Sequence, residues 1–430
     1  MFGIGWKNRR IIGSASAYCL GHHRRTARVQ LVITAVLAVV ACGDEQGAGV
    51  PIRASDGIAI VQDTGFVLAS SQLAQHDIVL HRVRSAAFVG VDRILVGLGD
   101  PVGPALFLMD TSGNLLASAG RHGDGPDEFR YLGAIHSDGD NTFAVWDLRG
   151  RRLAIGSVES GGTFGIDSTL QSDRDLVPIG FGGGESMFLQ VPHHIVSPGD
   201  PMTLGVVDLA TGNLNRWQEE GLTHSSSERI TLRGGTDGSV TFGITFPNGC
   251  IPRPLATAFD AGVIVALPAS GEVYLANSDA APRPLYRTED PPLFTEEMAS
   301  YLRRYLTAVT SGGDGVAPDG STYERSTPDI SRAFVDSVVA SIGIVGQPYG
   351  VTWDDIAIDR ITRRIWLRRA TCLQEGSVSE WDVIDMNGSS IGRVELPLRH
   401  RILAVGGPHA VIMYADSMDV EHIQLWSMGR

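Results

Sequence analysis

The chain has 430 residues, of which 19% are charged and 7% aromatic, and its formal charge is −13. Its basic residues are arginines apart from Lys7, and no basic face for phosphate is visible in their distribution, which argues against nucleic acid as a partner. This length suits two ordinary domains or one large repeat architecture, and the 52 glycines and 21 prolines that punctuate short apolar stretches favour an all-β repeat.

Near the N-terminus, Arg24, Arg25 and Arg28 precede an apolar stretch from Val29 to Ala41, and Ala41 is followed by Cys42. The stretch is too short to span a bilayer as a mature helix, and a basic flank, an apolar run and a small residue together make an export signal. The segment Val39-Val40-Ala41-Cys42 resembles a bacterial lipobox. That resemblance implies cleavage after residue 41, acylation of Cys42 and a short tether over residues 42–56. Each buried acyl methylene contributes about 0.8 kcal/mol, so two or three chains anchor a protein durably without a transmembrane helix. The implied address is the periplasmic side of a bacterial membrane, with the outer membrane favoured. An ordinary secretory signal and an uncleaved anchor are the alternatives. Residues 1–41 carry six basic and no acidic side chains, so their removal takes the formal charge from −13 to −19.

Downstream, an apolar strand, a polar turn with glycine and a second apolar strand recur. Leu106–Asp110 turns through Gly113 to Leu115, Phe143–Asp147 through Gly150 to Leu153, and Gly205–Asp208 through Gly212 to Leu214. Val263–Leu267 turns through Gly271 to Val273, and Asp382–Asp385 through Gly388 to Ile391. Asp and Asn bond the turn backbone while glycine takes a positive φ, so each copy predicts a hairpin. A lone hairpin cannot bury its apolar face, and radial stacking of four-stranded sheets satisfies all copies together.

The segment Gly120-Arg121-His122-Gly123-Asp124-Gly125-Pro126-Asp127-Glu128-Phe129 resembles the Gly-Arg-x-Gly-x-Gly-Pro-Gly-Glu-Phe signature of NHL-repeat propellers, with Asp127 in place of a glycine. Ile356–Asp359 through Trp366 to Trp381–Asp385, and Tyr414 through Trp426, carry the same likeness. The resemblance covers most of residues 57–428 and implies a six-bladed β-propeller lipoprotein. In it the glycines and Pro126 shape the crossing between two blades, with Phe129 packed beneath. The blades are expected near residues 86–119, 133–170, 176–220, 230–286, 353–397 and 402–428, the last completed by a strand at Gly57 to Gln62 that closes the ring. Residues 222–260 are poorly patterned and leave a seventh blade open.

Residues 288–346 break the β texture. Thr295 caps a predicted helix with Glu296 and Glu297 in its first turn, an apolar face of Met298, Leu302, Tyr305, Leu306 and Val309, and Gly312-Gly313 as its stop. A second helix is predicted from Asp329 to Gly343 with Phe334, Val335, Val338, Val339 and Ile342 on one face. This small two-helix insertion between blades four and five either decorates the propeller's side or covers one mouth of the ring.

Chemistry-bearing motifs are scarce, with no Gly-x-Ser-x-Gly elbow, His-Glu-x-x-His pair, P-loop or Cys-x-x-Cys. Gly180-Phe-Gly-Gly-Gly184 reads as a turn. His193 and His194 fall on opposite faces of a strand and make a poor chelating pair. Asp354, Asp355 and Asp359, and Asp416 with Asp419, offer oxygen ligands for calcium, the only cofactor these residues suggest, yet neither group forms a full ligand series. His122, beside Asp124 and Glu128, is the acid–base candidate, although its place in a blade crossing favours a structural role. Cys250 and Cys372 either pair in an oxidising compartment or remain two thiols.

Two functions fit. The first is a non-enzymatic, membrane-anchored binding or scaffolding propeller for a protein, peptide or glycan. The alternative is a propeller enzyme of lactonase or lyase type, with a metal held in the central channel. Three or more carboxylate, amide or imidazole groups meeting at the axis would favour the enzyme, and an apolar or arginine-lined channel the binding module.

Overall fold

The computed structural model describes residues 59–68, 82–99, 103–171, 177–183, 186–190, 201–223, 229–234, 240–245, 254–289, 293–310, 315–316, 322–323, 332, 335–336, 339–340, 345, 351–370, 378–397 and 399–429. The predicted signal and tether lie outside them, as do Cys42, His193, His194, Cys250 and Cys372.

Six four-stranded antiparallel sheets form the molecule. Blade one comprises Val83–Val89, Arg93–Leu98, Leu106–Asp110 and Leu115–Ala119, and blade two Leu132–Ser137, Thr142–Asp147, Arg152–Val158 and Phe164–Gln171. Blade three runs from Val177–Phe181 through Ser186–Gln190 and Pro201–Asp208 to Leu214–Thr223, and blade four from Leu255–Phe259 through Gly262–Leu267 and Glu272–Asn277 to Ala280–Arg287. Blade five holds Trp353–Asp359, Arg364–Arg369, Val378–Asp385 and Ser390–Pro397. Blade six takes His400–Gly406, His409–Ala415 and Glu421–Gly429 from the end of the chain and Ala59–Leu68 from its beginning.

That shared sheet closes the ring. Ala59 pairs with Gly429 and Gln62 with Trp426; an irregularity follows, and the strand resumes with Val67 opposite Gln424. The register break extends the closing strand to Leu68, beyond the expected Gln62. An outer edge that would otherwise stay open is thus paired by the other end of the chain. The first strand of every blade touches the first strands of both neighbours, all the way round to blades six and one.

Apolar clusters fill the seams. Phe88, Val96 and Phe107 of blade one meet Val411 and Leu425 of blade six, while Leu106 and Leu108 meet Phe143 and Val145 of blade two. Trp366 and Trp381 of blade five pack with Ile412 and Trp426 of blade six. The middle strands, such as Arg93–Leu98, Thr142–Asp147 and Gly262–Leu267, are buried on both sides because each sheet is covered on both faces, whereas outer strands such as Phe164–Gln171 are largely exposed.

The turns show where the repeat lies. Asp110 accepts from the amides of Ser112 and Asn114, Asp208 from Thr211, and Asp385 from Asn387 and Ser389. These three cap turns between third and fourth strands, whereas Phe143–Asp147 and Val263–Leu267 are second strands. The hairpin that recurs in the sequence therefore occupies two different places in the blades.

The fourth blade begins later than its expected start near residue 230. Among the described residues Arg229–Gly234 and Val240–Thr245 pair with each other as a separate two-stranded sheet, and the blade's inner strand is Leu255–Phe259. The poorly patterned stretch adds a hairpin and no seventh four-stranded sheet among the described residues.

One helix, Glu296–Thr310, follows blade four in the chain. Thr295 Oγ1 accepts the Met298 amide at 3.2 Å, the expected cap. Met298, Leu302 and Leu306 are buried. Arg303 joins Glu296 of its own helix to Asp336, both at 2.9 Å. Arg332, Val335, Asp336, Val339 and Ala340 are helical, with Val335 and Val339 buried. Phe334, Val338, Ile342 and Gly343 lie outside the described residues.

Candidate functional site

Each inner strand has one edge paired within its blade and one edge facing the axis, where its N–H and C=O groups need other partners. The sequence places small and apolar residues there, among them Ala86, Ala256, Ile358, Ala404 and Gly406, and together they line a cavity of about 270 Å³. All six inner strands contribute to it.

Side chains stitch these edges across the seams. Ser85 of blade one accepts the Ile135 amide of blade two at 3.0 Å. His136 of blade two lies with Nε2 3.1 Å from the Pro178 carbonyl of blade three. Arg360, just beyond the inner strand of blade five, donates through Nη2 to the carbonyls of Phe181 at 2.6 Å and Ala258 at 3.0 Å, in blades three and four. Asp359 accepts from Ile361, Thr362 and, across the last seam, the Gly407 amide at 3.1 Å. Arg360 thus spans three blades at the mouth formed by the turns after the inner strands.

The electrostatics of this mouth are unbalanced. Burial works against the Arg360 charge and pulls its pKa below the ordinary arginine value; Asp260 and Asp138 oppose that pull from nearby. Neither carboxylate is in ion-pair contact with it. Asp260 pairs with Arg363 at 3.0 Å, and Asp138 accepts from Asp140 and Thr142. Burial also pushes the His136 imidazole down to about 4, the Pro178 carbonyl opposing and Arg360 reinforcing the shift. The ring is therefore neutral at physiological pH. A carbonyl can only accept, so Nε2 carries the proton and Nδ1 holds a lone pair.

The residues singled out by the crossing motif sit elsewhere, between the last strand of blade one and the first of blade two. Gly120 and Gly123 take positive φ of 74° and 153°. A Cβ at Gly120 would meet the Phe129 ring at 2.9 Å, and one at Gly123 would overlap the Glu128 carboxylate. Glu128 accepts from the Gly125 amide at 2.8 Å and Arg121 at 2.6 Å, and these bonds hold its pKa below the usual carboxylate range. Phe129 is buried, while Pro126 and His122 are exposed. Arg152 gathers the carbonyls of Asp124, Gly125 and Glu128 and reaches Asp147 at 3.1 Å. Asp147 in turn accepts from the amides of Arg130, Tyr131 and Gly150. Arg152 and Asp147 thus hold backbone groups, while Arg121 pairs with Glu128 and Arg130 with Asp124.

The candidate calcium carboxylates are likewise committed. Asp354 accepts from Arg368 at 2.6 Å, Asp355 lies 3.8 Å from Arg368 and 3.7 Å from Arg401, and Asp359 holds the turn described above. Asp416 accepts from Met418, Val420 and, at 3.1 Å, His422, while Asp419 lies 3.4 Å from Arg399. Among the described residues, no three His, Cys, Asp or Glu side chains are grouped to hold a metal ion. Gly180 takes a φ of 138° inside the inner strand of blade three and lines the channel.

Sequence reasoning missed both channel residues. Arg360 lies in an ordinary Asp-Arg turn, and the only hint at His136 was one imidazole in the otherwise apolar and small strand Leu132–Ser137. The reading also missed the pairing of buried Asp382 with the Trp353 indole, Arg369 and Arg393 in blade five.

No protein-family model matches the chain, and no curated protein matches it. Among solved structures it is similar to a member of the DUF4221 family from Bacteroides vulgatus, at 10% identity over 88% of this chain and 99% of that one, with a TM-score of 0.46. It is also similar to a protein of Bacteroides fragilis, at 10% identity over 82% of this chain and 92% of that one, TM-score 0.45. A third likeness, to an aldose sugar dehydrogenase from Streptomyces coelicolor, has 11% identity over 88% of this chain and all of that one, TM-score 0.41.

Proposed function

We propose that this chain is a lipid-anchored binding or scaffolding propeller of the bacterial cell envelope, related to the NHL-repeat propellers and tethered through acylated Cys42. It presents one mouth of its ring to a protein, peptide or glycan. The observation that carries this reading is the composition of the channel. Its walls are strand edges bearing small and apolar side chains, and its two strongly polar side chains, Arg360 and His136, are each bonded to backbone carbonyls. Such a lining supports a rigid ring and small, weakly polar contacts. The carboxylates nearest the mouth hold turns or arginines, which leaves no acid–base pair converging on the axis among the described residues.

Two measurements test the proposal. Labelled palmitate enters the wild-type protein, and Cys42→Ser abolishes that labelling and moves the protein from the membrane to the soluble fraction; unchanged labelling and membrane association would refute the anchor. Photo-crosslinkers placed around each mouth and on the outer rim of the anchored protein yield adducts at one mouth only. A stoichiometric divalent metal in the purified protein, accompanied by lactone hydrolysis or lyase turnover, would replace the binding module with the enzyme.

A further inference from the structure

We infer that the channel binds a small monocarboxylate, its carboxylate on Arg360 and its hydrocarbon body between the inner strands. This deepens the binding-module reading and rests on it.

The argument starts from charge. Three other arginines of similar burial have acidic partners: Arg152 with Asp147 at 3.1 Å, Arg368 with Asp354 at 2.6 Å, and Arg369 with Asp382 at 3.1 Å. Arg360 is equally drawn into the fold but is held by two carbonyls, with no carboxylate in contact among the described residues. Carbonyl dipoles satisfy hydrogens without supplying a countercharge, so the cation remains undercompensated in a low-dielectric place. An anion arriving there gains more than it would from a solvated surface arginine.

Geometry adds to this. A guanidinium has five N–H donors, and both Nη2 hydrogens are spent on Phe181 and Ala258. No described residue accepts from Nε or Nη1. The two carbonyl bonds fix the guanidinium plane in advance, which lowers the ordering cost of binding. The neutral His136 ring turns Nε2–H to Pro178, and its Nδ1 lone pair is available to a hydroxyl on the guest.

Size and polarity narrow the class. The cavity of about 270 Å³ admits an acid of a few carbons, and walls such as Ala86, Ile358, Leu403 and Val405 suit an apolar body. A phosphate dianion would bring two charges to a single cation and lose its hydration against those walls. An ammonium guest would meet Arg360 as a like charge.

The test uses the full-length protein in detergent at pH 7. It is titrated by calorimetry and ligand-observed NMR with butyrate, 3-hydroxybutyrate, butylammonium, chloride and phosphate. Butyrate binds saturably at one site per chain, 3-hydroxybutyrate binds more tightly, and His136→Phe removes that preference. Arg360→Gln, which removes the charge, weakens butyrate at least about tenfold, and Arg360→Lys, which keeps the charge but loses the planar fork, weakens it less than Arg360→Gln. Absence of saturable butyrate binding overturns the inference, as does butylammonium or phosphate binding equally well or full butyrate affinity in Arg360→Gln. If Arg360→Gln melts early, the probe series on the wild-type protein still decides. Crosslinking confined to one mouth together with no butyrate binding would sink this inference alone, whereas a metal with turnover would sink the binding-module reading itself.

Discussion

The blade-one-to-two crossing and the channel mouth handle charge in opposite ways. The crossing is crowded with Arg121, Asp124, Glu128, Arg130, Asp147 and Arg152, and each finds an opposite charge or a row of backbone groups. The channel is nearly free of charge, yet its one arginine faces carbonyls alone. Density of charged residues therefore marks architecture here, and imbalance marks the candidate site. A cluster whose members satisfy one another has little left with which to hold a ligand.

Substitutions sharpen that contrast. The largest loss is expected from Phe129→Ala, which empties a fully buried site beneath the crossing and costs about 3–5 kcal/mol, read as a fall in denaturant midpoint. Arg152→Met comes next at about 2–4 kcal/mol, because it strips partners from several carbonyls and from buried Asp147. A midpoint unchanged in Arg152→Met would show that the crossing is held by its glycines alone.

The channel contributes a pH dependence. His136 takes a proton near 6.5 in the unfolded chain but only near 4 in the fold, so the unfolded state binds protons first as pH falls. Its contribution is complete above the unfolded value and drains away between pH 6.5 and 4, by up to about 3 kcal/mol. His136→Gln keeps a donor for Pro178 without titrating, so thermal melts of this variant at pH 7 and pH 5 differ less than those of wild type. Equal acid sensitivity in both would remove His136 from the account. Carboxylates that hold turns, Asp208 and Asp416 among them, have pKa values below the usual range and contribute stability that is lost at still lower pH. The smallest effect belongs to His122→Ala, which leaves both the melting temperature and butyrate binding unchanged; a change in binding would move the site from the channel to the crossing.

Much of the ring was legible beforehand. The sheets begin and end within a few residues of their expected places in blades one, two, three and five, because apolar alternation and Asp-to-Gly turns are local signals that survive in any context. The helix at Glu296–Thr310 was equally readable from its cap and its apolar stripe. The start of blade four was not, since residues 222–260 are poorly patterned, and among the described residues the hairpin from Arg229 to Thr245 forms its own two-stranded sheet.

The sequence by itself determined the strand-turn texture and the closing of the ring by a strand that precedes blade one in the chain. Its hairpins could not reveal their phase, for Asp110 and Asp147 read alike although one ends a third strand and the other a second. Nor could it reveal the channel. Arg360 is 179 residues from Phe181 and 102 from Ala258 along the chain, and what distinguishes it from other turn arginines is which groups the closed ring brings beside it. Local patterning sets strands because backbone preference is local, whereas the balance of a buried charge depends on neighbours that only tertiary closure assembles.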